Sequence, residues 1–186
     1  MPPFIVLHVC MGNICRSPMA ERLLALELGG TDEVLSHSAG TGGWHEGEEM
    51  NPPAARQVRA RGAEPDGFAA RKLRAEHIDA ADLVLTATAD QSEYVTALRP
   101  DAASKTFVLG EFGRLLKEVD PATLPGPVHE RGEALVRAVD AVRDGRPPEH
   151  GDDLDDPWGR GDQVFSRVAE EIQATVVPLA KILIGK

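Results

Sequence analysis

Cysteine is scarce in this 186-residue chain. There are two, Cys10 and Cys15, and both lie in one short stretch. That excludes a disulfide framework between distant segments, and no Cys/His set carries zinc-site spacing. The six histidines, His8, His37, His45, His77, His129 and His150, are scattered and read as surface or core residues without a catalytic role. Basic residues are also short, 20 Lys and Arg against 30 Asp and Glu, for a formal net charge of −10. Such a balance argues against non-specific binding to nucleic acid or to an acidic membrane, so any phosphate must be captured locally. No basic n-region follows Met1-Pro2-Pro3-Phe4, and the apolar C-terminal stretch is broken by Pro178 and Lys181. The expectation is a soluble cytoplasmic protein without a membrane span. With 42% hydrophobic residues, the length suits one domain with a substantial core.

What the chain does have is Cys10-Met11-Gly12-Asn13-Ile14-Cys15-Arg16-Ser17. An apolar run, Phe4 to Val9, leads in, and Pro18 through Leu24 leads out as a helix start, giving strand, loop, helix. In that order, backbone N–H groups of the loop and first helical turn converge on whatever sits in the loop, and the helix dipole favours negative charge there. Five residues separate Cys10 from Arg16, enough for the chain to curl until the guanidinium faces the sulfur. An arginine so placed can hold two phosphate oxygens in a fork. The same positive surroundings favour the Cys10 thiolate, a ready nucleophile.

The run Val9-Cys10-Met11-Gly12-Asn13-Ile14-Cys15-Arg16-Ser17-Pro18-Met19-Ala20-Glu21 resembles the signature of the low-molecular-weight protein tyrosine phosphatases. A bare Cys-x5-Arg recurs by chance; a pattern spanning thirteen positions between a strand and a helix does not. The resemblance implies phosphotyrosine hydrolysis through a phosphocysteine, with no cofactor and no metal. It implies that the N–H groups of Met11, Gly12, Asn13, Ile14, Cys15 and Arg16 bind phosphate oxygens, that Asn13 holds the loop in shape with support from Ser38, and that Ser17 donates to the Cys10 sulfur. It also implies that the proton donor is the aspartate of an Asp-Pro-aromatic sequence, here Asp156-Pro157-Trp158. Asp152, Asp153 and Asp155 are expected to crowd Asp156 with negative charge and favour its protonated form. Leu154 and Pro157 spoil that acidic run as a calcium loop. Trp44, after the Ser38-Ala39-Gly40-Thr41 stretch, and Trp158 are candidates for the substrate mouth, where a flat ring can stack on an aryl leaving group. Phe68 stands where the family usually has a histidine that braces the loop asparagine, so either another group braces Asn13 or the cradle is looser. Cys15 is either a partner for Cys10 in a reversible disulfide or a small buried packing residue.

Further strands are expected at Val34–Ala39, Asp82–Thr88 and Lys105–Leu109, with helices to about Leu28, from Asn51 to about Ala60 and over Asp90–Leu98. Arg56, Arg59 and Arg61 read as a solvated helix face. Alternating strands and helices predict a single α/β domain, a four-stranded parallel sheet of order 2-1-3-4 with helices on both faces. Gly113–Val142 reads as helical with a Pro-rich break at 121–127, and Arg143–Gly151 as an exposed loop. The 120–151 segment is expected to be a helical or loop insertion at the rim. A last helix, Gln163–Ile184, carries an apolar stripe, with Pro178 expected to kink or break it.

The partner is then a phosphotyrosine-containing protein. Three activities compete on the same loop. Arsenate reduction is weakened because no cysteine follows Cys15, leaving only an external thiol. Protein arginine phosphatases carry a small threonine at the place of Ile14, where isoleucine favours an aryl substrate. A non-catalytic phosphoprotein-binding module is suggested by Phe68 and by the sequence after Asp156. The residues name neither the physiological substrate nor the oligomeric state.

Overall fold

Strand β1 (Phe4–Cys10) is buried along its length except at Ile5, and it occupies an inner position in the sheet. The computed structural model describes residues 1–185. Among these, β1, β2 (Val34–Gly40), β3 (Leu83–Thr86) and β4 (Thr106–Val108) form one parallel sheet in the order β2-β1-β3-β4, as the alternation of elements predicts. Side chains alternate across β1. Phe4, Val6 and Cys10 enter a core shared with α1 (Arg16–Leu28), α5 (Leu109–Leu116), α6 (Val128–Arg143) and α7 (Asp162–Ile184). Leu7 and Val9 face the other side, toward Ile78 of α3 (Ala75–Ala80) and Val95 of α4 (Ala89–Leu98). Burial on both faces is why this strand reads as a nearly continuous apolar run, broken only by His8.

Helix α1 starts at Arg16, two residues before Pro18, and ends where Gly29 adopts a left-handed conformation, φ 66°. It packs on α7, whose Phe165, Val168, Ile172, Val176, Leu179 and Leu183 form the expected buried stripe. Helix α2 (Pro52–Ala60) lies against both.

Several expectations are corrected. The chain turns helical at Leu109, ahead of Gly113, because β4 is only three residues long. Helix α3 was not foreseen: it is one short turn and a half whose lone buried residue is Ile78, too little for a periodic signal. Helix α7 runs unbroken through Pro178, its apolar stripe packed on both sides of that residue. Arg143 does not begin a loop. It ends α6, lies over the Phe107 ring at 3.9 Å, and donates to the Thr106 and Ala103 carbonyls. Arg61 is no solvated residue either, since it donates to Gln173 and to Ser166 and ties α2 to α7. Arg56 and Arg59 do stay at the surface, paired with Asp162 and Asp66. No helix among the described residues is long and apolar enough to cross a membrane.

Candidate active site

The carboxyl end of β1 delivers Cys10 to the loop, and the loop turns through residues 11–15 into the first turn of α1. Its shape is set from outside. The Cys10 and Met11 carbonyls accept from the N–H groups of Thr41 and Gly42, beyond the end of β2, and the Ile14 carbonyl accepts from Asn51 at the start of α2. With carbonyls held outward, no N–H from Met11 to Cys15 donates to a protein acceptor among the described residues. Such a ring of free donors at a helix N-terminus is an anion cradle.

Asn13 bends the loop with φ 57°, a left-handed conformation that asparagine tolerates better than most residues. Its side chain is fully buried. Nδ2 donates to Ser17 Oγ at 2.8 Å and to Ser38 Oγ at 3.0 Å, while Oδ1 accepts from the Arg71 N–H at 2.9 Å. Ser38 in turn donates to Glu21. The brace expected from a histidine therefore comes from the backbone of Arg71. That segment is pinned where Gly40 N–H donates to the Arg71 carbonyl and the Arg71 side chain reaches the Ser38 carbonyl and His37 Nδ1. His37 is held neutral for this contact: burial, with Arg71 and His77 nearby, pushes its pKa down to about 4. Phe68 packs in the core and lies under the Arg22 guanidinium.

Ser17 Oγ sits 2.9 Å from Cys10 Sγ. Arg16, 5% exposed, donates through Nη1 to the Leu154 carbonyl at 3.1 Å and places Nη2 3.9 Å from Asp156 Oδ2. Leu154 is itself anchored by its N–H to the Ala87 carbonyl just past β3. In this way the late acidic loop is carried to the loop after β1, 140 positions earlier in the chain by the Arg16–Asp156 pair (156 − 16).

A cavity of about 210 Å³ is lined by Cys10, Met11, Gly12, Ile14, Cys15, Arg16, Trp44, His45, Asp156 and Trp158. It gathers the expected nucleophile, arginine, acid and both mouth tryptophans. Trp44 and Trp158 are 71% and 55% exposed, their rings at an open mouth. His45 went unrecognised among the scattered histidines. It lies in the wall, its ring 5.6 Å from that of Trp158 and its Nδ1 2.6 Å from Glu48. Only its place directly after Trp44 marks it in the sequence. Asn13, Ser17 and Ser38 lie behind the cavity as supports.

One further expectation changes. Asp152, Asp153 and Asp155 do not crowd Asp156: Asp152 pairs with Arg114, Asp153 accepts from the Ala89 N–H at the start of α4, and Asp155 pairs with Arg167. Cys15 is buried and its pKa is pushed up to about 12, by burial first and then by Cys10 and Asp156. It is thus a protonated thiol packed beside Cys10.

Residues 5–144 match the family model described as "Low molecular weight phosphotyrosine protein phosphatase". The chain belongs to this family. Among curated relatives, the low molecular weight protein-tyrosine-phosphatase YfkJ of Bacillus subtilis is 36% identical over 130 residues, which cover 67% of this chain and 80% of that one. The low molecular weight protein-tyrosine phosphatase A of Mycobacterium tuberculosis is 39% identical over 122 residues, 64% of this chain and 69% of that one. Among solved structures, the YwlE arginine phosphatase of Geobacillus stearothermophilus is 28% identical with a TM-score of 0.70, covering 96% of this chain and 92% of that one. The phosphatase-family match ends before Asp156, whose place in the site rests on its geometry.

Proposed function

We propose that the protein hydrolyses phosphotyrosine in protein substrates through a phosphocysteine. The observation that carries this reading is the 2.9 Å contact between Cys10 Sγ and Ser17 Oγ inside a loop whose free N–H groups share one cavity with Arg16, Asp156 and two exposed tryptophans. In the first step Cys10 Sγ attacks phosphorus, the P–O bond to the tyrosyl oxygen breaks, and Asp156 gives that oxygen its proton. Phosphate arriving at Arg16 competes for the guanidinium and frees Asp156 to face the leaving group. Water then attacks phosphorus, the S–P bond breaks, and Asp156 takes up the water proton. The equatorial oxygens are held throughout by Arg16 and by the N–H groups from Met11 to Arg16, donors fixed in advance of the charge they stabilise. Ser17 stabilises the sulfur as attacking and leaving group.

The aryl preference is supported by Trp44 and Trp158 at the mouth and by Ile14 in the wall. A second reading, hydrolysis of phosphoarginine, is supported by the likeness to the Geobacillus arginine phosphatase. A nucleophilic thiolate needs a reducing compartment, which favours the cytoplasm. The test is initial rates on phosphotyrosine, phosphoserine and phosphoarginine peptides for wild type and Cys10→Ser. The expected result is preference for phosphotyrosine and background rates for the variant; a phosphoarginine preference would replace the substrate assignment.

A further inference from the structure

The geometry points to a divalent transition-metal site of the zinc type at the end of the sheet opposite Cys10, formed by Asp82, His129 and Glu133. One ligand atom from each lies within 4.8 Å of the others. Asp82 immediately precedes β3, and His129 and Glu133 are four residues apart in the first two turns of α6, so they share one helix face. A tetrahedral ion bound at about 2.1 Å separates its ligands by roughly 3.4 Å, within reach of small side-chain adjustments from this arrangement.

Each donor is already oriented. Asp82 Oδ2 accepts from the Ile5 N–H at 2.8 Å, which fixes the carboxylate and leaves Oδ1 available. The His129 ring stands edge-on to Phe4, centroids 6.1 Å apart, and is 15% exposed. His129 Nε2 lies 2.7 Å from Glu133 Oε1, while its Nδ1 is buried without a hydrogen-bond partner among the described residues. His129 Nε2 and the Glu133 carboxylate already meet, and a backbone N–H steadies the Asp82 carboxylate, so the three groups converge before any ion is bound. Among the described residues, Arg137, 3.8 Å from Glu133, is the one competing arginine or lysine within 4 Å of these carboxylates. One nitrogen and two carboxylates suit zinc better than magnesium, which prefers oxygen ligands alone, and they leave a fourth position for water. An ion here would clamp α6 to the amino ends of β1 and β3, independently of the chemistry at Cys10.

The probe is Zn²⁺ alone, titrated calorimetrically into the full chain carrying Cys10→Ser and Cys15→Ser, so that no thiolate competes. One equivalent should bind in the micromolar range, Mg²⁺ should not compete, and adding His129→Ala or Asp82→Asn should weaken binding at least tenfold. Thermal melts accompany each titration: Zn²⁺ should raise the melting temperature of the parent and leave that of His129→Ala unmoved, while both variants remain folded. No saturable binding, or equal affinity in parent and His129→Ala, would overturn the site.

Discussion

At the scale of single residues, the proposed acid has a signature of its own. Asp156 is half-exposed beside Arg16, and its removal takes away a proton donor without disturbing the buried loop. Asp156→Ala is expected to slow hydrolysis of an alkyl or phenyl phosphate by about 10²–10⁴-fold, and a nitrophenyl phosphate, whose leaving group needs no proton, far less. Equal losses on both substrates would remove Asp156 from the acid role. His8 makes a different point. It is 1% exposed on β1 with both ring nitrogens unpartnered among the described residues, and burial, followed by the nearby His37, pushes its pKa down to about 3. The unfolded chain takes up this proton near pH 6.5 and the folded chain does not, so stability is lost as pH falls from about 6.5 toward 3. His8→Phe removes that linkage and leaves no hydrogen bond behind. Between pH 6.5 and 5 the variant should lose about 2 kcal/mol less stability than wild type in urea titrations. Parallel losses would show that His8 is not held neutral.

At the scale of elements, the site depends on how closely the end of β2 approaches the loop after β1. A Cβ placed on Gly40 would stand 2.8 Å from the Met11 carbonyl oxygen and 3.0 Å from the Asn13 nitrogen, both backbone atoms that cannot swing aside. Gly40→Ala should displace the cradle and lower kcat on the order of tenfold to a hundredfold while the protein stays folded. Circular dichroism with steady-state kinetics checks this, and an unchanged kcat would mean that the loop is positioned by other contacts. Helix α6 contributes differently. It packs on β1 and α5 and lines none of the 210 Å³ cavity; in the 120–151 segment only His150 reaches the groove beside it. That placement shifts any influence of this segment from the phosphate cavity to its flank.

Across the whole molecule, the sheet order and the loop at its centre were legible because β1 is apolar but for His8 and the Val9–Glu21 signature is dense. The gathering of Arg16, Asp156 and Trp44 was legible only through resemblance, since no local pattern says that the Leu154 carbonyl seats Arg16. The Arg71 brace was illegible for a plainer reason: a backbone N–H leaves no trace in residue identity. The expected crowd of aspartates failed because charge counted along the chain ignores Arg114, Arg167 and the start of α4, which disperse it. What joins these pieces is the proposed covalent catalysis by Cys10. The most direct test is rapid denaturing quench of the enzyme during turnover of an aryl phosphate, followed by mass spectrometry of the peptide containing Cys10 and Cys15. The account predicts one phosphoryl group on Cys10, absent from Cys10→Ser; turnover at the wild-type rate with no phosphorylated Cys10, or in the serine variant, would contradict it.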